Sequence, residues 1–195
     1  QNYFIFIDQN LPDHPDMFYR DKKILVERDS YWDELKLILN KIKKDLNIDF
    51  RIIPHPTTSL NILKKYFDSS QIISSNKNLY IKDCKFVICH DSTLVQLAVL
   101  WNKPIKPIIP KSIEKELTYT LNIKFFANEL GLKVNLDLNN ELSDQIYSSY
   151  NKKSYFEYKK KYIISSNSDP DSFFWDIFTK ELLLYDEKNN LKNSN

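Results

Sequence analysis

With 195 residues, 42% hydrophobic and 28% charged content and a formal net charge of +2, the chain has the make-up of a folded globular protein with room for a substantial core. Near-balanced charge argues against a nucleic-acid footprint, and no run approaches the roughly twenty apolar residues that span a bilayer. Gly131 is the only glycine, which excludes a Walker loop and a dinucleotide fingerprint, since both need several glycines to bring backbone against phosphate.

In chain order, Asn2–Asp8 is a continuous apolar run and reads as a buried strand. Tyr3-Phe4-Ile5-Phe6-Ile7 is too short for a signal peptide and lacks the basic flank. The opening at Gln1, on the edge of that strand, leads us to expect a longer protein with a partner lobe in front. Gln9–Lys23, broken by Pro12 and Pro15, reads as a loop. Asp29 or Ser30 is a natural N-cap for a helix through about Leu46, with Trp32, Leu35, Leu37, Ile38, Ile42 and Leu46 as its inward stripe.

Phe50–Pro54 reads as a second strand, and Ser59–Phe67 as a helix capped by Thr58 or Ser59. Gln71–Ser74 has the pattern of a short third strand, followed by a helix near Leu79–Asp83. Lys85–Cys89 is the next strand, Ser92–Trp101 the helix after it, and Pro104–Ile109 a further strand. Ile113–Leu130 reads as a helix closed by Gly131, and Val134–Leu138 as a last strand. Only helical pattern remains beyond Ser143, in Asp144–Ile164 and Ser172–Tyr185, with a polar tail after Asp186.

Strands alternating with helices predict an α/β fold: a Rossmann-like parallel sheet flanked by helices, with a C-terminal helical extension. The expected division is a lobe over 1–140, helices packed on it over 141–186, and a tail over 187–195. Cys84 and Cys89 sit in apolar surroundings and read as buried free thiols of a reducing, cytoplasmic protein. Two cysteines and three histidines cannot supply a zinc set or a disulfide scaffold, so no metal is expected.

Ligands of parallel sheets bind beyond the carboxyl ends of the strands. Asp8, His55, His90, Asp91, Ser92 and Thr93 all follow strands, and that coincidence defines the candidate site. In Pro54-His55-Pro56 the proline after His55 biases it toward an extended backbone. Its imidazole is then a candidate donor or general acid toward a phosphate or leaving-group oxygen. In His90-Asp91-Ser92-Thr93 two hydroxyls open a helix, where amides and the helix dipole favour an anion. Asp91 or Ser92 acting only as an N-cap, and His90 as a satisfied core histidine, are the competing structural readings.

A His-Pro dipeptide after one strand and a Ser-Thr pair opening a helix after a later one resemble the second half of bacterial two-domain (GT-B type) sialyltransferases and related surface-polysaccharide glycosyltransferases. Phe6-Ile7-Asp8-Gln9, Asn102-Lys103-Pro104-Ile105 and a Tyr-rich helix before Trp175 extend the resemblance over about residues 2–185. It implies one half of a GT-B fold that binds the donor nucleotide sugar, with a CMP-activated acidic sugar ahead of UDP or GDP sugars. In that family the His-Pro histidine and the Ser/Thr pair hold the CMP phosphate and the cytidine ribose region. His55 and Pro56 match the first motif, with His55 as the catalytic candidate, and Ser92 and Thr93 match the second, beside His90 and Asp91.

The implied transfer is metal-independent and directed to a glycan or glycolipid acceptor, with the general base in a preceding lobe. A non-catalytic interaction or regulatory module of polysaccharide assembly is the alternative. Asp169-Pro170-Asp171 has metal-motif spacing but reads as a solvated cap.

The order Asp8, Ser92/Thr93, Lys103-Pro104 is also similar to phosphoacceptor receiver domains. That scheme needs an acceptor Asp ending the third strand and an acidic pair after the first; Gln71–Ser75 supplies no Asp, and Asp8 is followed by Gln9. The basic and aromatic stretch Lys152–Tyr162 could meet an anionic glycan or peripherally touch the inner membrane. The competing reading is an amphipathic helix packing its rings on the sheet.

Overall fold

The computed structural model describes residues 2–15, 19, 26–148, 150–164, 178–180 and 183. Four parallel strands, β1 (Tyr3–Ile7), β2 (Asp49–Ile53), β3 (Val87–Cys89) and β4 (Ile105–Pro107), form one sheet in the order β2-β1-β3-β4. Around it stand α1 (Arg28–Leu46), α2 (Leu60–Tyr66), α3 (Lys77–Asp83), α4 (Val95–Leu100), α5 (Leu117–Glu129), α6 (Leu142–Tyr147) and α7 (Lys152–Tyr162). This is the α/β, Rossmann-like architecture expected from the alternating pattern.

Strand alternation sorts the core into two faces. Phe4, Phe6, Phe50, Ile52, Phe86 and Ile88 share one cluster with Tyr31, Trp32, Leu35, Leu39 and Ile42 of α1. Phe4 and Phe86 stack there with centroids 4.8 Å apart. The opposite set, Ile5, Ile7, Ile53, Val87 and Cys89, is equally buried. On that side Tyr3 donates to the Tyr80 carbonyl of α3 at 2.9 Å. Both faces are closed, which is why the strands read as continuous apolar runs.

Several boundaries differ from expectation, each for a local reason. α1 begins earlier than the Asp29 or Ser30 cap implies. Glu27 is the N-cap, its carboxylate accepting from the Asp29 and Ser30 amides at 3.0 and 2.6 Å. The inward stripe is consequently Tyr31, Trp32, Leu35, Leu39 and Ile42. Leu37, expected inside, is 71% exposed.

The strand expected at Gln71–Ser74 is a single bridge, Ile52 with Ile72, after a 3-10 turn at Ser69–Gln71. Nor does Val134–Leu138 extend the sheet. Asn135 takes a left-handed φ of 67°, so pairing stops after its amide reaches the Pro107 carbonyl at 2.9 Å. The helix expected over Ile113–Leu130 divides into a 3-10 turn, Lys111–Ile113, and α5. Gly131, at φ +66°, follows α5 as a C-terminal stop, and a Cβ there would come within 2.9 Å of Ser154 Oγ.

The helical stretch Asp144–Ile164 is likewise two helices, α7 starting where Asn151 Oδ1 accepts from the Lys153 and Ser154 amides. The chain divides into two compact units, Gln1–Tyr158 and Lys159–Asn195. The division therefore falls later than 140, because Leu142 and Ile146 of α6 belong to the main core cluster. In the second unit, helical backbone is described through Tyr162 and at 178–180. Most of Ser172–Tyr185, Asp169-Pro170-Asp171 and the 187–195 tail lie outside the described residues.

Cys84 and Cys89 are buried free thiols, and burial pushes both well above the ordinary thiol range, Cys84 to about 12. α7 buries Tyr155 and Tyr158 while Lys152, Lys153 and Phe156 stay exposed, the distribution of an amphipathic helix. Among the described residues no helix is long and apolar enough to cross a membrane.

Two substitutions test this packing. Phe6→Ala, at the centre of the sheet, is expected to cost about 3–5 kcal/mol in urea unfolding. Leu37→Ala should stay within about 0.5 kcal/mol. A comparable loss at Leu37 would contradict the observed orientation of α1.

Candidate functional site

β1 lies between β2 and β3, so the chain leaves it toward one side and later returns to the other. The region beyond the carboxyl ends of β1 and β3 is thus the topological switch point, where ligands of open α/β sheets bind. Two residues at the end of β1 organise it. The buried Asp8 carboxylate accepts from the Asn10 amide (2.7 Å), the His55 amide (3.1 Å) and the Thr58 hydroxyl (2.6 Å). Gln9 pairs reciprocally with Asp91: its Nε2 donates to Oδ1 at 2.5 Å, and its Oε1 accepts from the Asp91 amide at 2.9 Å. Asp8 thereby holds the loop after β2, and Gln9 the loop after β3. Burial raises both carboxyl groups above the ordinary carboxylate range, against the pull of these hydrogen bonds.

His55 stands half-buried at one lip. Its Nδ1 accepts from the Thr57 amide at 3.3 Å and lies 2.8 Å from Thr57 Oγ1, which itself accepts from Asn10 Nδ2 at 3.0 Å. With Nδ1 accepting, the neutral ring carries its proton on Nε2. Asn10 reaches Thr57 because its own backbone is left-handed, φ 52°. The ring of His14 lies 5.1 Å from that of His55. His14 therefore stands beside the His-Pro loop.

At the other lip the helix is shorter than the expected Ser92–Trp101. Ser92, Thr93 and Leu94 form a turn before the six residues of α4, and Ser92 Oγ accepts from the Leu94 amide at 3.3 Å. Helix dipole is correspondingly weak here; the Leu94, Val95 and Gln96 amides are bonded within the turn, which leaves the Ser92 and Thr93 hydroxyls as its polar groups. Ser92 keeps its hydroxyl proton to donate, and Thr93 is exposed. Pro56 is exposed beside His55, where its role is to stiffen the loop.

His90 requires a correction. It was expected at the ligand, yet it is fully buried and both ring nitrogens are engaged internally. Nδ1 lies 2.8 Å from the Ile108 carbonyl, which can only accept, so Nδ1 carries the proton. Nε2 then accepts from the Tyr31 hydroxyl at 2.8 Å. His90 ties β3 to α1 and to the residue after β4. It supports the turn from behind.

Sequence reasoning missed Gln9, Asn10, His14 and Thr57 as site residues. Gln9 and Thr57 directly follow motif residues, which is the signal that was available. His14 offered none, since its loop has no pattern. With Gln71–Ser74 not a strand, β3 is followed by Asp91, and the ground for setting the receiver-domain scheme aside changes. Asp8 is spent on the loop after β2 and Asp91 on Gln9, and Pro107-Ile108-Ile109-Pro110 ends β4 without a hydroxyl. Among the described residues no group of His, Cys, Asp and Glu is arranged to hold a metal ion. No family model matches the chain, and no curated protein matches it.

Burial pulls the His90 imidazole down to about 4. Between pH 6.5 and about 4 the unfolded chain takes up a proton at this ring and the folded one does not. Stability from this group is thus present above 6.5 and falls with pH through that window, by about 3 kcal/mol. Denaturant unfolding from pH 7 to 4 should show a shallower slope for His90→Gln than for the native chain. Identical slopes would contradict a neutral, buried His90.

Proposed function

We propose that this lobe binds the donor nucleotide sugar of a metal-independent glycosyltransferase of surface-polysaccharide assembly, a CMP-activated acidic sugar ahead of UDP or GDP sugars. One observation carries the reading. The His-Pro loop and the Ser-Thr turn, far apart in sequence, both follow strands that flank β1 and are fastened to its end by Asp8 and Gln9.

In this reading His55 Nε2–H faces a donor phosphate oxygen, and the Ser92 and Thr93 hydroxyls face the same phosphate from the β3 side. The acceptor oxygen attacks the anomeric carbon as the bond to the nucleotide phosphate breaks, and the electron pair passes to the phosphate oxygen. Preorganised donors stabilise that growing charge without reorganising. Asp91, Gln9 and Asp8 position the two loops, and His90 supports the turn without touching the ligand. Proton removal from the acceptor falls to a carboxylate of a preceding lobe, since Asp8 is enclosed by its three donors.

Isothermal titration of the 195-residue chain with CMP, UDP and GDP tests this. CMP is expected to bind with a dissociation constant of about 1 mM or tighter, roughly −4 kcal/mol, and EDTA should leave the affinity unchanged. His55→Ala and Ser92→Ala should each weaken it about tenfold, some 1.4 kcal/mol, with little change in melting temperature. No binding by any of the three at several millimolar would leave the non-catalytic module as the better reading.

A further inference from the structure

The row Ile52, Phe6, Ile88, Lys106 runs across the four strands in direct register. Its first three members are fully buried apolar residues, and the fourth, on the edge strand, is a lysine only 3% exposed. Among the described residues the Lys106 side chain has neither a hydrogen-bond nor an ion-pair partner. It borders a cavity of about 740 Å³ together with Lys133, Asn135, Asp137, Asp144 and Gln145. Its stem is buried among apolar residues, and its ammonium is not among the buried polar atoms left without a partner, so the charge reaches solvent at the cavity.

We propose that this cavity is an oxyanion site, taking the carboxylate or phosphate of a small hydroxylated molecule onto Lys106, with Lys133 as a second cation.

The walls are built, and their polar groups are largely committed. The Asn135 amide is bonded to the Pro107 carbonyl, and its Oδ1 accepts from the Ile109 amide at 2.6 Å, which leaves Nδ2 as a donor. Gln145 clasps the backbone of Asp137 from both sides, Oε1 accepting at 2.7 Å and Nε2 donating at 2.9 Å. Both Asp137 carboxylate oxygens already accept, from the Asn139 amide and from Asn140 Nδ2. Asp144 is therefore the carboxylate suited to a ligand hydroxyl. The volume suits a small molecule and exceeds what a lone ion fills. Burial, and then neighbouring Lys133, lower the Lys106 ammonium below its ordinary value, the state of a cation lacking its counter-ion.

This site lies on the edge strand, separate from the β1–β3 switch point, so its fate is independent of nucleotide binding. The test is thermal unfolding of the 195-residue chain with inorganic phosphate, glucose 6-phosphate and glucuronate, against sodium chloride of equal ionic strength. At least one oxyanion should raise the melting temperature saturably by a few degrees, as preferential binding to the folded state requires. Phosphate-only and glucuronate-only responses would each assign the anion class. Lys106→Met and Lys106→Gln should abolish the rise, and Lys106→Met should melt no lower than the native chain in oxyanion-free buffer. In the native protein the Lys106 side-chain resonances should move with the same midpoint. No rise with any of the three at 50 mM (roughly a thousandfold above the protein), a rise retained in the folded variant, or static Lys106 resonances would each overturn the site.

Discussion

Asp8 and Gln9 leave the central strand toward opposite neighbours, and each is spent on one flanking loop. Asp8 draws in three donors, two of them backbone amides, which offsets much of the cost of burying its carboxylate. Gln9 forms a closed two-bond ring with Asp91. The shape of the switch-point region depends on these five hydrogen bonds, and this region is where the proposed donor phosphate would lie.

The sheet order makes this latch effective. In the order β2-β1-β3-β4 the strand carrying Asp8 and Gln9 has a partner on each side, so a single dipeptide reaches both loops. The register then fixes their heights: Ile7 pairs with Ile53 on one side and with Cys89 on the other, one residue before each loop begins to turn away. His90 adds support from the core side, holding the turn to Tyr31 and Ile108. A buried network that is satisfied at both ring nitrogens specifies one position for the chain.

The four strands and most helices were legible because both sheet faces are covered, which leaves continuous apolar runs such as Phe4–Ile7 with little ambiguity. Failures came where local geometry overrode pattern. Leu37 fits an inward stripe on hydrophobicity alone, but Tyr31 and Leu39 take the inward positions once Glu27 sets the start of α1. Val134–Leu138 has strand composition, and a left-handed Asn135 ends its pairing. In the site, His55 and the Ser92-Thr93 turn were readable from their positions after strands. The burial of His90 was not, because its partners Tyr31 and Ile108 are far away in sequence. Gln9 and His14 likewise acquire meaning only from the strand order.

Amide hydrogen exchange at His55 and Asp91 tests the latch most directly. Gln9→Ala is expected to accelerate exchange at the Asp91 amide while the His55 amide keeps its protection. Asp8→Ala should do the reverse, releasing His55 and Asn10 and leaving Asp91 protected. Unchanged protection at Asp91 in Gln9→Ala, and at His55 in Asp8→Ala, would contradict loops fastened from the end of β1.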